Sequence, residues 1–272
     1  MKSSFLRRLI NAPYLLWSAI FIIVPLIIVA YYALTDESGN YTLSYILNIV
    51  EYKEVFIRSL VYAVIATLIT LVMSYPVAYY MSRSKVSTQK IMMLLVMLPM
   101  WMNLLIRTYS WTTILEKTGL INSFLGLFGI EPLKLIGTPG AVILGMVYNY
   151  IPYMILPIYT VMTKIDNSLL EAAEDLGSNG WAKLKRVILP LSLPGVISGI
   201  TMVFVPSVST FYISQKLGGA QTLMIGDIIQ KRFDALSYNT GAALSLIMMV
   251  VILISLAIMN RFTDDDDGGI IL

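Results

Sequence analysis

Long apolar runs alternate with short polar stretches along this chain. Runs at about residues 14–34, 55–81, 91–110, 141–162, 196–214 and 241–260 each approach or exceed the roughly 20 residues an α-helix needs to cross hydrocarbon. They predict an all-α, polytopic membrane protein: one domain over 1–272 with about six transmembrane helices. Lys2, Arg7 and Arg8 precede the first run. That run is too long for the apolar core of a cleavable leader, and no small-residue cleavage site follows it, so it is read as a span. Pro76, Pro99, Pro152 and Pro157 fall inside runs and predict bends. No tandem or inverted repeat is visible.

The connections differ in character. Residues 35–54 carry Asp36, Glu37, Glu51 and Glu54 and read as an external loop. Residues 82–90 are short and basic, with Arg83, Lys85 and Lys90. Residues 111–139 are too polar to span, yet hold Leu120, Ile121, Phe124 and Leu125 between glycines, which predicts short helices in the outer interface. Residues 215–240 read as a second external loop, and 264–267, four aspartates, as a solvated, disordered tail. Lysine and arginine are enriched on one side of this six-span arrangement. The bias places both termini and the connection 164–194 in the cytoplasm.

Composition narrows the function. The chain is 57% hydrophobic and 13% charged, with a net charge of +3 and a mean hydropathy of +0.77. Such a charge fits membrane flanks and gives no reason to expect nucleic acid. Cysteine and histidine are both absent. Disulfides, thiolate chemistry and the commonest base and metal ligand are thereby excluded. Only Ser–Lys or Asp–Asp pairs remain for catalysis, and the runs contain no lysine or aspartate. The expectation is no enzyme active site, no metal and no cofactor in this chain. Ion-driven carriers commonly place an acid at mid-membrane. Here every Asp and Glu falls in a loop or tail, and Arg58 and Arg107 sit near outer span ends, where they can snorkel. An ion-coupled carrier built on backbone sites stays open. Otherwise, if the chain transports, its energy comes from elsewhere.

The one long polar segment is 168–190. Ser168 with Glu171 fits a capping box. Residues 169–176 then form about two turns, Gly177 closes them in a left-handed conformation, and Ser178 or Asn179 caps a second helix that runs until Pro190. Pro194 and Gly195 separate this piece from the fifth span. Trp181, Leu184 and Ile188 recur at helical spacing and form an apolar face. Two readings fit: an amphipathic loop held by headgroups, or a docking element. For docking, Ala172 and Ala173 let a partner approach, while Glu171, Glu174 and Asp175 offer contacts to its Arg or Lys.

This segment resembles the EAA loop of ABC-importer permeases: E-A-A, three residues, G, nine residues, I-x-L-P. Glu171-Ala172-Ala173, Gly177 and Val187-Ile188-Leu189-Pro190 match that spacing, with valine for the first isoleucine. Pro99-x-Trp101, Leu105-Ile106-Arg107-x-Tyr109-x-Trp111, Thr118-Gly119-Leu120-Ile121-Asn122, Phe211-Tyr212-x-Ser214 and Leu217-Gly218-Gly219-Ala220 are similar to the spermidine/putrescine permeases of the PotB type. Branches for ferric iron or aminoethylphosphonate share several of these strings. Gln215 stands where the polyamine branch carries an acid.

The resemblance implies a permease subunit in the bacterial inner membrane. It implies a second permease of the PotC type, a cytoplasmic ATPase dimer of the PotA type that binds ATP and Mg, and an extracytoplasmic polyamine-binding protein of the PotD type. Glu171, Ala172, Ala173, Asp175 and Gly177 are then the ATPase-docking residues. A polyamine is a flexible polycation that aromatic faces and amide oxygens hold weakly. Trp101, Asn103, Tyr109, Tyr148, Asn149, Tyr150 and Tyr153 are expected to line its path; as residues alone they are equally readable as interfacial aromatics.

Overall fold

The computed structural model describes residues 13–14 and 16–267. Lys2, Arg7 and Arg8 lie outside them. Among the described residues the regular structure is helical, with one isolated bridge between Thr35 and Tyr41. Five stretches are long and apolar enough to cross a membrane, or six when one bent pair is counted as a span. The long helices are α1 (Leu16–Leu34), α2 (Lys53–Arg83), α6 (Pro139–Met162), α8 (Gly180–Ser209) and α11 (Tyr238–Asp267). The bent pair begins with α3 (Val86–Trp101) and continues through α4 (Leu104–Leu115) and α5 (Leu120–Gly126). Shorter helices include α7 (Asn167–Asp175), α9 (Tyr212–Leu217) and α10 (Ile225–Asp234).

Three of these differ from the sequence reading. The run at 91–110 is no straight span: α3 and the α4–α5 stretch meet at 91°. Met102 turns extended and donates its N–H to Pro99 O at 3.2 Å, and Asn103 restarts the helix by accepting from Leu105 N at 2.7 Å. A side-chain cap competes with helix continuation at such a residue. Second, α8 does not stop at Pro190 or part at Pro194 and Gly195; it is continuous from Gly180 to Ser209. A π-helical turn at Leu184–Ile188 lies just before Pro190. Proline lacks an N–H and crowds the carbonyl four residues back, and a wider turn relieves that crowding. Third, α11 runs through Asp267, where a disordered tail was expected. Extending an existing helix costs far less than nucleating one.

Contacts divide the chain into two compact units, Met1–Glu54 with Ile228–Val251 and Val55–Asp227 with Ile252–Leu272. In the first, Ala33, Ala242 and Ala243 form a small-residue core with Val29, Tyr45, Ile46, Ile49 and Leu246 around it. Asn239 Nδ2 closes the end of α1 by donating to Tyr32 O at 3.1 Å and Thr35 O at 2.6 Å. Arg232 Nη2 donates to Tyr52 OH at 2.7 Å. Much of α1 is exposed and apolar, as suits a helix facing lipid or another subunit.

The second unit is built on α6 and α8, its most extensively packed pair. Lipid tails are as apolar as leucine, so such pairs are held by close van der Waals approach. Gly195 and Gly199, one turn apart on α8, supply it. A Cβ on Gly195 would sit 2.9 Å from Pro157 O, and one on Gly199 would sit 2.6 Å from Met154 Sδ. Around the C-terminal end of α6, Ala78, Met81, Met154, Ile155, Ile158, Tyr159, Met162, Ile165, Ile188 and Val203 make one core. Around its N-terminal end, Ala66, Leu115, Val142, Met146, Ile213, Leu217 and Met224 make another. At 24 residues α6 is roughly 36 Å long, the thickness of a membrane core and its margins.

Two polar groups are more deeply placed than the sequence implied. Arg107 is 7% exposed and does not snorkel; its Nε and Nη1 have no hydrogen-bond partner. Asp227, expected in an open loop, is 0% exposed at the start of α10, where its Oδ2 accepts from Met224 N at 2.6 Å.

Candidate functional site

At the C-terminal end of α6 the chain turns through α7 into the start of α8. The entry is capped by Asp166, whose carboxylate accepts from Ser168 N at 3.0 Å. The expected Ser168–Glu171 capping box is therefore not the cap: Ser168 lies one residue inside the helix. Hydrogen bonds from Ser168 hold the fully exposed Asp166 carboxyl below its usual value of 3.8. At the far end Gly177 has φ +78°. Gly177 N donates to Glu174 O at 2.8 Å and Ser178 N to Ala173 O at 2.9 Å, the paired bonds of a Schellman closure. Asn179, rather than Ser178, then caps α8, accepting from Ala182 N at 2.8 Å. The result is two helices joined by a fixed turn of four residues, Leu176 to Asn179, further clamped by an ion pair between Lys183 and Glu174.

One side of this element is anchored. Ile165 and Ile188 are buried in the core at that end of α6, with Leu170 and Leu184 packed against it. Arg83, the last residue of α2, donates through Nη1 to Asn167 Oδ1 at 2.7 Å and to Ile165 O at 3.3 Å. The other side is free. Glu171, Ala172, Asp175 and Gly177 are exposed and Ala173 is half-buried. Leu176 is 87% exposed and Trp181 is 72% exposed. Trp181 thus leaves the apolar face on which Leu184 and Ile188 remain. The small residues and carboxylates of α7, with Leu176 in the turn and Trp181 at the start of α8, face outward and can fill a groove on another protein.

The residues expected along a path are dispersed. Trp101 ends α3, and Asn103 is spent as the cap of α4. Tyr148 packs edge-on against Trp111 at 5.4 Å, in an apolar cleft of about 550 Å³ between α2 and α6. Asn149 is 1% exposed and donates to Gly145 O at 2.8 Å. Tyr150 and Tyr153 meet edge-on at 6.3 Å, with Tyr150 OH donating to Pro206 O at 3.4 Å. Tyr109 instead faces Tyr212 and Lys216 of α9, beside a cleft of about 360 Å³. Sequence reasoning missed Asp166, Arg83, Tyr212 and Lys216. Only Asp166 had a local signal, an acid two residues before a serine at a helix start.

Comparisons with known proteins bear on this arrangement. The family described as binding-protein-dependent transport system inner membrane component matches residues 41–265. The spermidine/putrescine transport system permease protein PotB of Haemophilus influenzae is 36% identical over 256 residues, 90% of each chain. Its Escherichia coli K12 counterpart is 35% identical over 90% of this chain and 93% of its own. In structure, a chain of a bacterial ABC transporter that imports the acidic polysaccharide alginate superposes with a TM-score of 0.80. It covers 97% of this chain and 96% of its own at 17% identity, so it speaks for the fold. The chain belongs to the family of inner-membrane components of binding-protein-dependent transport systems.

Proposed function

We propose that this chain is one of two permease subunits of an ATP-driven importer for spermidine and putrescine. The observation that carries the reading is the identity of 36% over 90% of both chains to a permease named for those substrates. Support for the energy source comes from α7, anchored on one side and exposed on the side that bears Glu171, Ala172, Asp175 and Gly177. In this reading a cytoplasmic ATPase dimer of the PotA type binds ATP and Mg and docks on that face. A second permease of the PotC type completes the membrane pathway, and an extracytoplasmic protein of the PotD type delivers the polyamine. Both termini and α7 lie in the cytoplasm. The chain has no catalytic site of its own, and ATP closure of the ATPase dimer moves α7 and α8. Aromatic side chains, Tyr109, Tyr150 and Tyr153 among them, hold the polycation weakly enough for it to pass.

The test is uptake of labelled spermidine by the assembled transporter in vesicles. Uptake requires ATP, and saturating putrescine competes for it. Glu171→Lys or Gly177→Arg abolishes uptake while the subunit stays in the membrane. Normal ATP-dependent uptake by both variants removes the docking role. Absence of competition by either polyamine removes the substrate reading and favours another small substrate, such as ferric iron or aminoethylphosphonate. Uptake that persists without ATP and collapses with an ion gradient makes the protein an ion-coupled carrier.

A further inference from the structure

At the N-terminal end of α6, away from α7, one lysine lies over two tyrosines. Lys216 Nζ is 5.9 Å from the centroid of the Tyr109 ring and 5.8 Å from that of Tyr212. Both distances fall within the range in which a ring quadrupole attracts a cation. Helices α4 and α9, which carry the rings, pack against each other. The adjoining cleft of about 360 Å³ is lined by Leu105, Ile106, Tyr109, Ser110, Thr113 and Tyr212. Its walls combine apolar surface with hydroxyls and hold no carboxylate. Such a lining accommodates a methylene chain, and its hydroxyl oxygens accept from ammonium protons. Tyr109 is 60% exposed, so the site is open to a solute.

The chemistry of the occupant is informative. A lysine side chain is four methylenes ending in a primary ammonium. Putrescine is that group with a second ammonium at its other end, and spermidine carries the same aminobutyl arm. We propose that Tyr109 and Tyr212 form an alkylammonium-binding site at this mouth of the protein, in which Lys216 is a tethered stand-in that the arriving amine displaces. The identity of that amine rests on the polyamine reading above; the site itself does not. Two ammonium groups cannot share one pair of rings without like-charge repulsion, so Lys216 and solute exclude each other. A tethered group competes at an effective concentration on the order of millimolar. Lys216 therefore keeps the site filled when solute is scarce and raises the concentration at which solute is admitted.

The experiment uses the complete transporter in nanodiscs, with its lysines reductively methylated with ¹³C. The Lys216 methyl signal is identified by its loss in Lys216→Arg. Ring currents shift it upfield, Tyr109→Leu reduces that shift, and putrescine returns it saturably to the position of a free lysine. A Lys216 signal with no ring-current shift, or one that stays shifted at saturating putrescine, overturns the proposal. Independently, Lys216→Met lowers the KM for spermidine uptake by about threefold or more, whereas Lys216→Arg, which retains a cation, keeps it near wild type. A KM that is unchanged or higher in Lys216→Met overturns it as well. Butylamine separates the two readings. If it displaces Lys216 in a transporter that takes up no polyamine, the site stands and the substrate reading falls. If polyamine is transported while Lys216 never moves, the reverse holds.

Discussion

Arg83 Nη1 donates to Asn167 Oδ1 across 2.7 Å, so the last residue of α2 holds the first residue of α7. The same guanidinium reaches Ile165 O at 3.3 Å in the link between α6 and α7. A push on α7 is thereby shared between α2 and the α6–α8 pair. Arg83→Gln removes the fork that makes these contacts. We expect a loss of roughly 1.5–3 kcal/mol in local stability, the range for charge-assisted hydrogen bonds. Amide exchange in α7 should accelerate, and ATP hydrolysis by the assembled transporter should persist while uptake falls. Uptake and hydrolysis that fall together would assign Arg83 to folding alone.

Gly177 tests the turn with the smallest possible change to the exposed face. A Cβ placed there meets nothing within 4 Å, so only its φ of +78° resists substitution. Gly177→Ala should cost about 1 kcal/mol, and Gly177→Asn less, because asparagine tolerates the left-handed region. The order Gly, Asn, Ala should appear both in exchange protection of α7 and in uptake.

Gly199 tests the packing of α8 on α6. A Cβ there would lie 2.6 Å from Met154 Sδ and 3.2 Å from Met154 O. Gly199→Leu should lower stability by about 1–3 kcal/mol, as overpacking does. Gly180 is the control, since nothing lies within 4 Å of its Cβ position. Gly180→Ala should be neutral, or stabilising by up to about 1 kcal/mol. Thermal unfolding of the detergent-solubilised subunit separates the two variants.

The cap at Asp166 predicts a pH dependence with a defined sign. Hydrogen bonds from Ser168 hold this carboxyl below 3.8 in the folded chain. A depressed carboxylate stabilises the folded state fully above its unfolded value, and the contribution is lost as pH falls through the lower, folded value. Exchange of the Ser168 amide should therefore be protected above about pH 4, and that protection should fade below it. Asp166→Asn, which still accepts a hydrogen bond, should keep protection at both pH values. Asp166→Ala should show none at either.

The helical class, five of the apolar runs and the segment around Gly177 were legible because their signals are local. Twenty apolar residues, or a glycine after a short polar helix, mean the same thing in most surroundings. What escaped depends on distant partners or on competition between close alternatives. Pro190 and Pro194 looked like a boundary, because proline usually ends a helix, yet a π-helical turn at Leu184–Ile188 carried α8 past them. Ser168 looked like the cap, and Asp166, two residues earlier, took that role. Gly195 was read, with Pro194, as a separator, and its close approach to Pro157, like that of Gly199 to Met154, depends on a partner helix that the sequence does not place. Arg107 was expected at the interface from its position alone, and only three-dimensional packing buries it. The aromatic residues scattered for the same reason: sequence records that a tyrosine is present, not which way its helix is rotated.

The continuity of α8 has a mechanical consequence. From Leu189 to Ser209 it is an unbroken rod of 21 residues, roughly 31 Å long, and Tyr212 begins α9 three residues beyond its end. Pivoting it by about 5° at the wider turn before Leu189 would sweep the far end through about 3 Å, close to the diameter of an ammonium group. Only Thr210 and Phe211 lie in between, so a tilt that small would be enough to open or pinch the gap between two rings.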